Sequence, residues 1–218
     1  MSGMLATIPA KFKVNIGTDL EEFERLRGVG DRRLYLYGMI ESIDYEERGL
    51  CTSVSMTSRL VESILWINRE DAGLSPEERE PIRLYINSPG GELIEGFALV
   101  EAIELSKTPI YTINVGQWCS MAFLIGITGH KRFSLPNMTF LLHDGNSGVF
   151  GSTNKVQDRL KFEERFNNAV VKTHVLKHSK MTEESYIAHE RDEFYMLAED
   201  ALRLGFIDEI VTDIDAIL

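Results

Sequence analysis

The sequence has few cysteines and no long apolar run. Its two cysteines, Cys51 and Cys119, lie far apart and outside any C-x-x-C or Cys/His spacing, so we expect neither a disulfide framework nor a metal site. No apolar run reaches the roughly 18 residues of a membrane-spanning helix. The start, MSGMLATIPAKFKV, lacks the basic, apolar and cleavage regions of a signal peptide. We therefore expect a cytoplasmic protein with no membrane partner.

Positive charge is also in short supply. The chain carries 23 Lys and Arg against 34 Asp and Glu, a formal net charge of −11. Phosphate binding relies on clustered Lys and Arg, so nucleic acid is not an expected partner. The phosphate-binding motif G-x-x-x-x-G-K-[ST] is absent from the sequence, so the chain has no ATPase of its own and we expect no cofactor.

Strand and helix patterns alternate along the chain, which predicts a single α/β domain over residues 1–218 with parallel strands and right-handed crossovers. Two strand–turn–helix units carry the pattern most clearly: Ile82–Ile86 with a helix over Leu93–Ile103, and Ile110–Val115 with a helix over Ser120–Ile127. The remaining predicted helices are Glu21–Leu26, Thr52–Asn68, Lys155–Lys177, a short one after Thr182, and Ala198–Leu204; the remaining predicted strands are Arg33–Tyr37, Arg132–Leu135, Met138–Leu142 and Ile207–Val211.

Ser120 stands where a predicted strand turns into a predicted helix. Unpaired N–H groups and the helix dipole favour negative charge there, as acyl transfer requires. For a serine taken alone, simple helix capping is the far more common role, and the nucleophile motif G-x-S-x-G is absent. Because ligands gather at the carboxyl ends of parallel strands, Gly90, Gly91 and Ser120 are expected to face one cleft.

His143 is the preferred general base among the five histidines, because it ends an apolar strand and precedes a glycine-rich loop. The carboxylate that would orient its imidazole is left open by the residues alone. Asp144 adjoins His143 but should point to the opposite face of the strand. The candidates that spacing leaves equal are Asp192, Glu95, Glu163 and Glu190.

Five blocks, in order, resemble the family of Clp protease proteolytic subunits, ClpP, and the match extends over about Ile82 to Val211. They are Tyr85–Gly91 (YINSPGG), Gly116–Met121 (GQWCSM), Lys131–Asn137 (KRFSLPN), Leu142-His143 and Glu190–Asp192 (ERD). The resemblance implies a crotonase-like α/β fold of repeated ββα units with a protruding handle of a long helix and a strand. It also implies a serine endopeptidase that degrades unfolded polypeptides.

The resemblance assigns roles to individual residues. It implies a triad of Ser120, His143 and Asp192, and an oxyanion hole made by the backbone N–H groups of Gly91 and Met121. Two such donors at helix starts would stabilise a tetrahedral oxyanion. No metal is implied at this site.

The resemblance also implies an assembly. Heptameric rings, stacked as a tetradecamer, would enclose the active sites, with Arg191 at the ring–ring contact and a handle region over residues 145–178. A separate AAA+ unfoldase would deliver peptide substrates. The amino-terminal segment 1–30 diverges from the family pattern, which leaves docking of a standard unfoldase in question and suggests a possible paralogous ClpP subunit as partner.

Departures from the family pattern motivate other readings. Ala122 replaces a usual glycine, the turn Gly129–Lys131 is short, and His143-Asp-Gly145 replaces His-Gln-Pro. A catalytically weak or inactive ring subunit with a structural or activating role is therefore the main alternative. An acyl-CoA hydratase or isomerase shares the fold, and a Ser–Lys dyad could use Lys131; the absence of a membrane anchor weighs against the dyad class.

Overall fold

The computed structural model describes residues 29–41, 55–146 and 148–218. Its strands form one seven-stranded sheet in which only one pair is antiparallel. The strands are Arg33–Ile40 (β1), Ile82–Gly91 (β2), Ile110–Cys119 (β3), Lys131–Ser134 (β4), Thr139–Leu142 (β5), Phe194–Leu197 (β6) and Glu209–Ile210 (β7). The predicted α/β class with parallel strands is thus observed.

Seven α-helices lie wholly within the described part of the chain. They are Met56–Glu70 (α1), Leu93–Glu104 (α2), Met121–Ile127 (α3), Thr153–Phe166 (α4), Lys172–Lys177 (α5), Glu183–His189 (α6) and Ala198–Arg203 (α7). None of the helices in this part of the chain is long and apolar enough to cross a membrane.

Strand β3 organises the sheet because it pairs with three strands. Its Tyr111–Asn114 half pairs with β4, its Gln117–Cys119 half pairs with β5, and β2 runs along its other side. The order is β1-β2-β3-β4-β7, and β5 continues to β6 through the antiparallel pair. The end of β3 therefore lies beside the ends of both β2 and β5.

The core is built around α3, which lies against β2 and β3. Every residue from Met121 to Ile127 is buried, and Phe123 packs edge-on against Phe206 at a centroid distance of 4.8 Å. Burial of each large apolar side chain of this kind contributes about 2 kcal/mol. The residue that precedes α3, Ser120, is consequently attached to a fully buried helix.

Two predictions about elements need correction. The single helix predicted over Lys155–Lys177 is interrupted by a π-helical segment, Asn167–Val171, between α4 and α5. Strand β6 was not predicted, because a four-residue segment between two helices gives a weak pattern and is identified by its pairing with β5. The predicted helix Glu21–Leu26 lies outside the described residues, as does nearly all of the divergent segment 1–30.

Candidate active site

Ser120 has a strained backbone at the β3–α3 junction. Its φ is +54° and its ψ is −126°, a combination that costs an L-residue about 1–3 kcal/mol and is commonly found at functional sites. The Ser120 N–H donates to the Leu141 carbonyl at 3.0 Å, and its carbonyl accepts from Phe123 N–H at 3.0 Å. The surrounding sheet and helix thus hold a sharp strand-to-helix turn, although the G-x-S-x-G motif is absent.

The hydroxyl of Ser120 is not used to cap the helix. The serine occupies the N-cap position of α3, but its side chain accepts no capping hydrogen bond from the described helix. A capping serine normally accepts a hydrogen bond from the N–H two or three residues further on. Helix capping therefore does not account for this serine, and the side chain is available for chemistry.

Two glycines at the end of β2 make close backbone contacts near Ser120. A Cβ on Gly90, whose φ is +96°, would lie 2.6 Å from the Ser120 Cβ and 2.9 Å from the Met121 nitrogen. A Cβ on Gly91, whose φ is +144°, would lie 1.9 Å from the Ile40 carbonyl oxygen. Gly90 thus brings the end of β2 against the Ser120–Met121 turn, whereas Gly91 lies against Ile40 of β1.

His143 follows β5 next to this turn. Cys119 pairs with Leu141 across β3 and β5, so Ser120 and His143 continue two neighbouring parallel strands. The His143 ring is largely buried, with a side-chain exposure of 14%, and its Nδ1 lies 2.9 Å from Glu193 Oε1. Its Nε2 is buried and has no hydrogen-bond partner among the described residues.

This arrangement allows His143 to act as a general base. A carboxylate at Nδ1 fixes that nitrogen as the protonated one, which leaves a lone pair on Nε2 to accept a proton. Ser120 and His143 are not hydrogen-bonded to each other in this structure. Catalytic hydrogen bonds commonly lengthen in unliganded sites and tighten with substrate.

The carboxylate at His143 is not the residue that the resemblance implies. Asp192 lies beside His189, with 3.8 Å between Oδ2 and the His189 Nδ1, and its side chain is 65% exposed. Glu193 takes the position at His143 instead. The pairing of Leu142 with Phe194 explains this, because His143 and Glu193 flank that antiparallel pair. Glu193 could have been selected from the sequence only if the pairing register of β6 with β5 had been known.

The other carboxylates considered from the sequence have different partners. Glu95 accepts hydrogen bonds from Ser55 and Thr57, and Glu163 pairs with Arg159 on α4. Arg191 is 87% exposed, with its Nε 3.9 Å from a carboxylate oxygen of Glu190. These carboxylates are therefore engaged in local structure in this conformation, and Arg191 lies at the surface.

Lys131 is badly placed for a Ser–Lys dyad. It pairs with Tyr111 at the beginning of β3, whereas Ser120 follows the end of that strand. Its ammonium lies 3.4 Å from Glu209 and 4.6 Å from the centre of the Phe133 ring. The dyad considered from the sequence is therefore not formed.

Cys119 and the short turn near Lys131 have structural explanations. Cys119 is buried, and burial together with the nearby Glu193 charge raises the pKa of its thiol, so it is poorly suited to act as a nucleophile. In the turn, His130 N–H donates to the Ile110 carbonyl at 2.8 Å, and its Nδ1 accepts from Ile110 N–H at 3.1 Å. The short connection is therefore closed by its own hydrogen bonds.

Residues able to hold a metal ion lie elsewhere. Within the described ranges, Glu104, His174 and His178 form such a group. Glu104 is the last residue of α2, whereas the glycines beside Ser120 precede the first residue of that helix. The candidate active site and this group are thus at opposite ends of α2.

Comparison with known proteins identifies the family. The Clp protease family model matches residues 51–213. An ATP-dependent Clp protease proteolytic subunit of Deinococcus radiodurans is 27% identical over 186 residues, which cover 84% of this chain and 88% of that protein. The Streptococcus sanguinis protein of the same name is 30% identical over 161 residues, covering 72% of this chain and 79% of that protein. The chain belongs to the Clp protease family, whose crotonase-like α/β fold it shares.

Proposed function

We propose that this chain is the peptidase subunit of a self-compartmentalised serine endopeptidase. One observation carries the proposal: His143 is bound by a carboxylate at Nδ1, and its buried Nε2, next to the strand that ends just before Ser120, has no hydrogen-bond partner among the described residues. The names of its relatives, ATP-dependent Clp protease proteolytic subunits, point to the same activity.

The proposed reaction begins with proton transfer from the Ser120 hydroxyl to His143 Nε2. The Ser120 oxygen forms a bond to the peptide carbonyl carbon, and the carbonyl electron pair moves onto its oxygen. We assign the oxyanion to the backbone N–H groups of Gly91 and Met121, each worth about 3 kcal/mol in other enzymes. The C–N bond then breaks as His143 returns the proton to the leaving amine, and water hydrolyses the acyl-enzyme by the same steps in reverse order.

We propose Glu193 as the carboxylate that orients His143 in this conformation. Its Oε1 lies 2.9 Å from Nδ1, so it can hold the tautomer and stabilise the imidazolium that forms during the reaction. Asp192, the residue that the resemblance implies, would have to leave His189 to take this role. Glu193 and Asp192 are adjacent, so substitution of each one separately distinguishes the two assignments.

Association into heptameric rings, stacked as a tetradecamer, is part of the proposal. Helix α4 has every residue at least partly exposed, including the apolar Leu160 and Phe162, and Phe150 before it is 98% exposed. Exposed apolar side chains of this kind favour contact with another chain. Because the sequence lacks an ATPase motif, we propose that a separate AAA+ unfoldase delivers unfolded polypeptides.

Hydrolysis of a short fluorogenic peptide tests the proposal. The assembled protein should cleave it without ATP, and Ser120→Ala should lose activity by about 1,000-fold or more because the nucleophile is gone. Light scattering must show the same assembly for both proteins. A parent protein that is assembled but inactive on a panel of such peptides would contradict the proposed activity.

A non-catalytic ring subunit is the second candidate. It is favoured by the missing hydrogen bond between Ser120 and His143 and by the position of Asp192 at His189. Mixed rings with a paralogous peptidase subunit would distinguish the candidates. If this chain is only structural, mixed rings containing its Ser120→Ala variant should be as active as those containing the parent chain, and a serine-directed phosphonate should label only the paralogue.

A further inference from the structure

Two histidines and a glutamate lie close together where a long helical arm, residues 153–177, joins the body of the protein. Glu104 ends α2, His174 lies on α5, and His178 follows that helix one turn later. The imidazole rings are 4.6 Å apart between centroids, and one ligand atom from each of the three residues lies within 4.8 Å of the other two. None of these residues takes part in the proposed peptidase chemistry.

His174 is oriented as a metal-ligating histidine is. Its Nε2 lies 3.0 Å from the Leu124 carbonyl oxygen and 3.1 Å from Thr128 Oγ1, while the Thr128 hydroxyl donates to the same carbonyl. Two acceptors therefore face Nε2, so the proton is on that nitrogen and the lone pair is on Nδ1. Histidine ligands characteristically donate their second N–H to a carbonyl in this way, which fixes ring and tautomer.

The electrostatic states of the three groups also suit a cation. His174 is 8% exposed, and burial lowers its pKa to about 4, so the ring is neutral at pH 7. Burial likewise lowers the pKa of His178. Burial opposes ionisation of Glu104, but hydrogen bonds from Lys177 and His178 outweigh it and lower the pKa of the carboxyl. Neutral imidazoles with an ionised carboxylate are the protonation states that metal coordination needs.

A cavity of about 570 Å³ reaches the group at His178, whereas Glu104 and His174 do not line it. Its lining also includes the cationic side chains of Lys131, Arg132, Lys177 and Lys180. The Lys177 ammonium lies 2.6 Å from Glu104 Oε2, and His178 Nε2 is hydrogen-bonded to Oε1. The glutamate is thus already paired with the ammonium of Lys177, an exposed side chain that a bound cation would have to displace.

We propose that Glu104, His174 and His178 form a binding site for one divalent transition-metal ion of the zinc type. Two imidazoles and one carboxylate are a common protein ligand set for Zn²⁺ and Co²⁺, with water completing the coordination. The ion would link the end of α2 to α5, and so stabilise the junction between the body and the long helical arm. The proposal is independent of the peptidase activity.

Titration of the metal-free full-length protein with Co²⁺ and with Zn²⁺ tests the site. We expect about one ion per chain, a visible Co²⁺ absorption band that Zn²⁺ abolishes, and a higher melting temperature with Zn²⁺. The double variant Glu104→Gln, His178→Asn should bind at least about 100-fold more weakly, since it removes two ligands. Glu101→Gln, an exposed change one turn earlier on α2, is the matched control and should bind like the parent.

Lys177→Met provides a second, independent variant. It removes the competing ammonium and keeps all three ligands, so metal binding should be equal or tighter. Sub-stoichiometric binding by the parent, equal affinity in the double variant, or loss of binding in Lys177→Met would each overturn the assignment and leave an ion-pair cluster only. Circular dichroism and the assembly state establish that each variant is folded, and none of these readouts depends on peptide hydrolysis.

Discussion

The two halves of the candidate active site are built in different ways. The nucleophile half consists of the β2 end, the β3–α3 turn and α3, in which every helical residue is buried. The base half consists of the residues that follow β5 and precede β6, where Glu193 is 59% exposed and Asp192 is 65% exposed. Backbone contacts define the first half, and side chains at the surface define the second.

This difference indicates which part of the site geometry is fixed within one chain and which part can change with assembly or substrate. The Ser120 backbone is held by hydrogen bonds to Leu141 and Phe123 and by contact with Gly90. The partner of His143 depends on which of two adjacent exposed carboxylates points inward. We therefore expect the nucleophile half to be preformed in a single chain, and the base half to respond to assembly or to substrate.

The largest expected effect on stability comes from Gly90→Ala in the nucleophile half. The new methyl would lie 2.6 Å from the Ser120 Cβ and from the Cys119 carbonyl oxygen, at a φ of +96°. Combined overpacking and backbone strain should lower the free energy of unfolding by about 3 kcal/mol or more. Urea denaturation measures this, with Gly73→Ala, where no atom lies within 4 Å of the added carbon, as control. A stable Gly90→Ala protein would show that the turn is not enforced by packing.

Glu193→Gln tests the base half. Loss of the carboxylate should lower kcat for peptide hydrolysis by about 1,000-fold, less than the roughly 10,000-fold loss known for a buried triad acid replaced by its amide, because Glu193 is partly exposed. Asp192→Asn should change kcat by less than about 3-fold, because in this conformation its carboxylate lies beside His189. The reverse pattern would assign the orienting role to Asp192 and require that the base half rearranges in the active assembly.

Asp71→Asn tests the buried ion pair of Asp71 with Arg32, which lies at the edge of the sheet opposite the candidate active site. The buried Asp71 carboxylate accepts hydrogen bonds from Arg32 at 2.7 Å and from Thr108 at 2.7 Å, and the Arg32 hydrogen bond is the main cause that lowers its pKa. The stability it adds is present above about pH 4 and is lost as the pH falls further. Asn should cost about 3 kcal/mol at pH 7.

The difference in the free energy of unfolding between the parent and Asp71→Asn, measured by denaturation, should shrink below about pH 4, where the parent aspartate also becomes neutral. Peptidase activity per folded chain should be unchanged, because this ion pair touches neither half of the site. A stability difference that stays constant from pH 7 to pH 3 would contradict this role of the Asp71 carboxylate.

The smallest effect is expected from Ala122→Gly, which restores the usual family residue after Met121. Ala122 is fully buried inside α3, so glycine should cost about 1 kcal/mol of stability. Because the turn is held by β2 and β5, kcat/KM should change by less than about 3-fold. A rise of about 10-fold or more would mean that the Ala122 methyl distorts the nucleophile half.

The sequence patterns predicted the parts of the fold that repeat a strong periodicity. Both strand–turn–helix units are confirmed, and Ser120 does open a helix at the end of a strand. They did not predict β6 or the π-helical interruption at Asn167–Val171. A short strand is stabilised by its pairing partner and a π-helical segment by local packing, and neither produces a periodic pattern in the sequence.

The candidate site divides in the same way. Ser120 and His143 could be selected because each follows a strand with a clear pattern, whereas Glu193 could not, since its position depends on the register of β5 with β6. The triad with Asp192 and the oxyanion assignments to Gly91 and Met121 remain predictions. Residue spacing alone carries no information about which of two adjacent carboxylates turns toward a histidine.

The most direct test of the central claim, that Ser120 is activated by His143, is covalent labelling of the assembled protein with a serine-directed phosphonate, read by intact mass and by fragmentation of the modified peptide. We expect an adduct on Ser120 in the parent protein, none in Ser120→Ala, and labelling slowed by about 100-fold or more in His143→Ala. An assembled parent protein that gains no adduct, or that is labelled equally fast without His143, would contradict it.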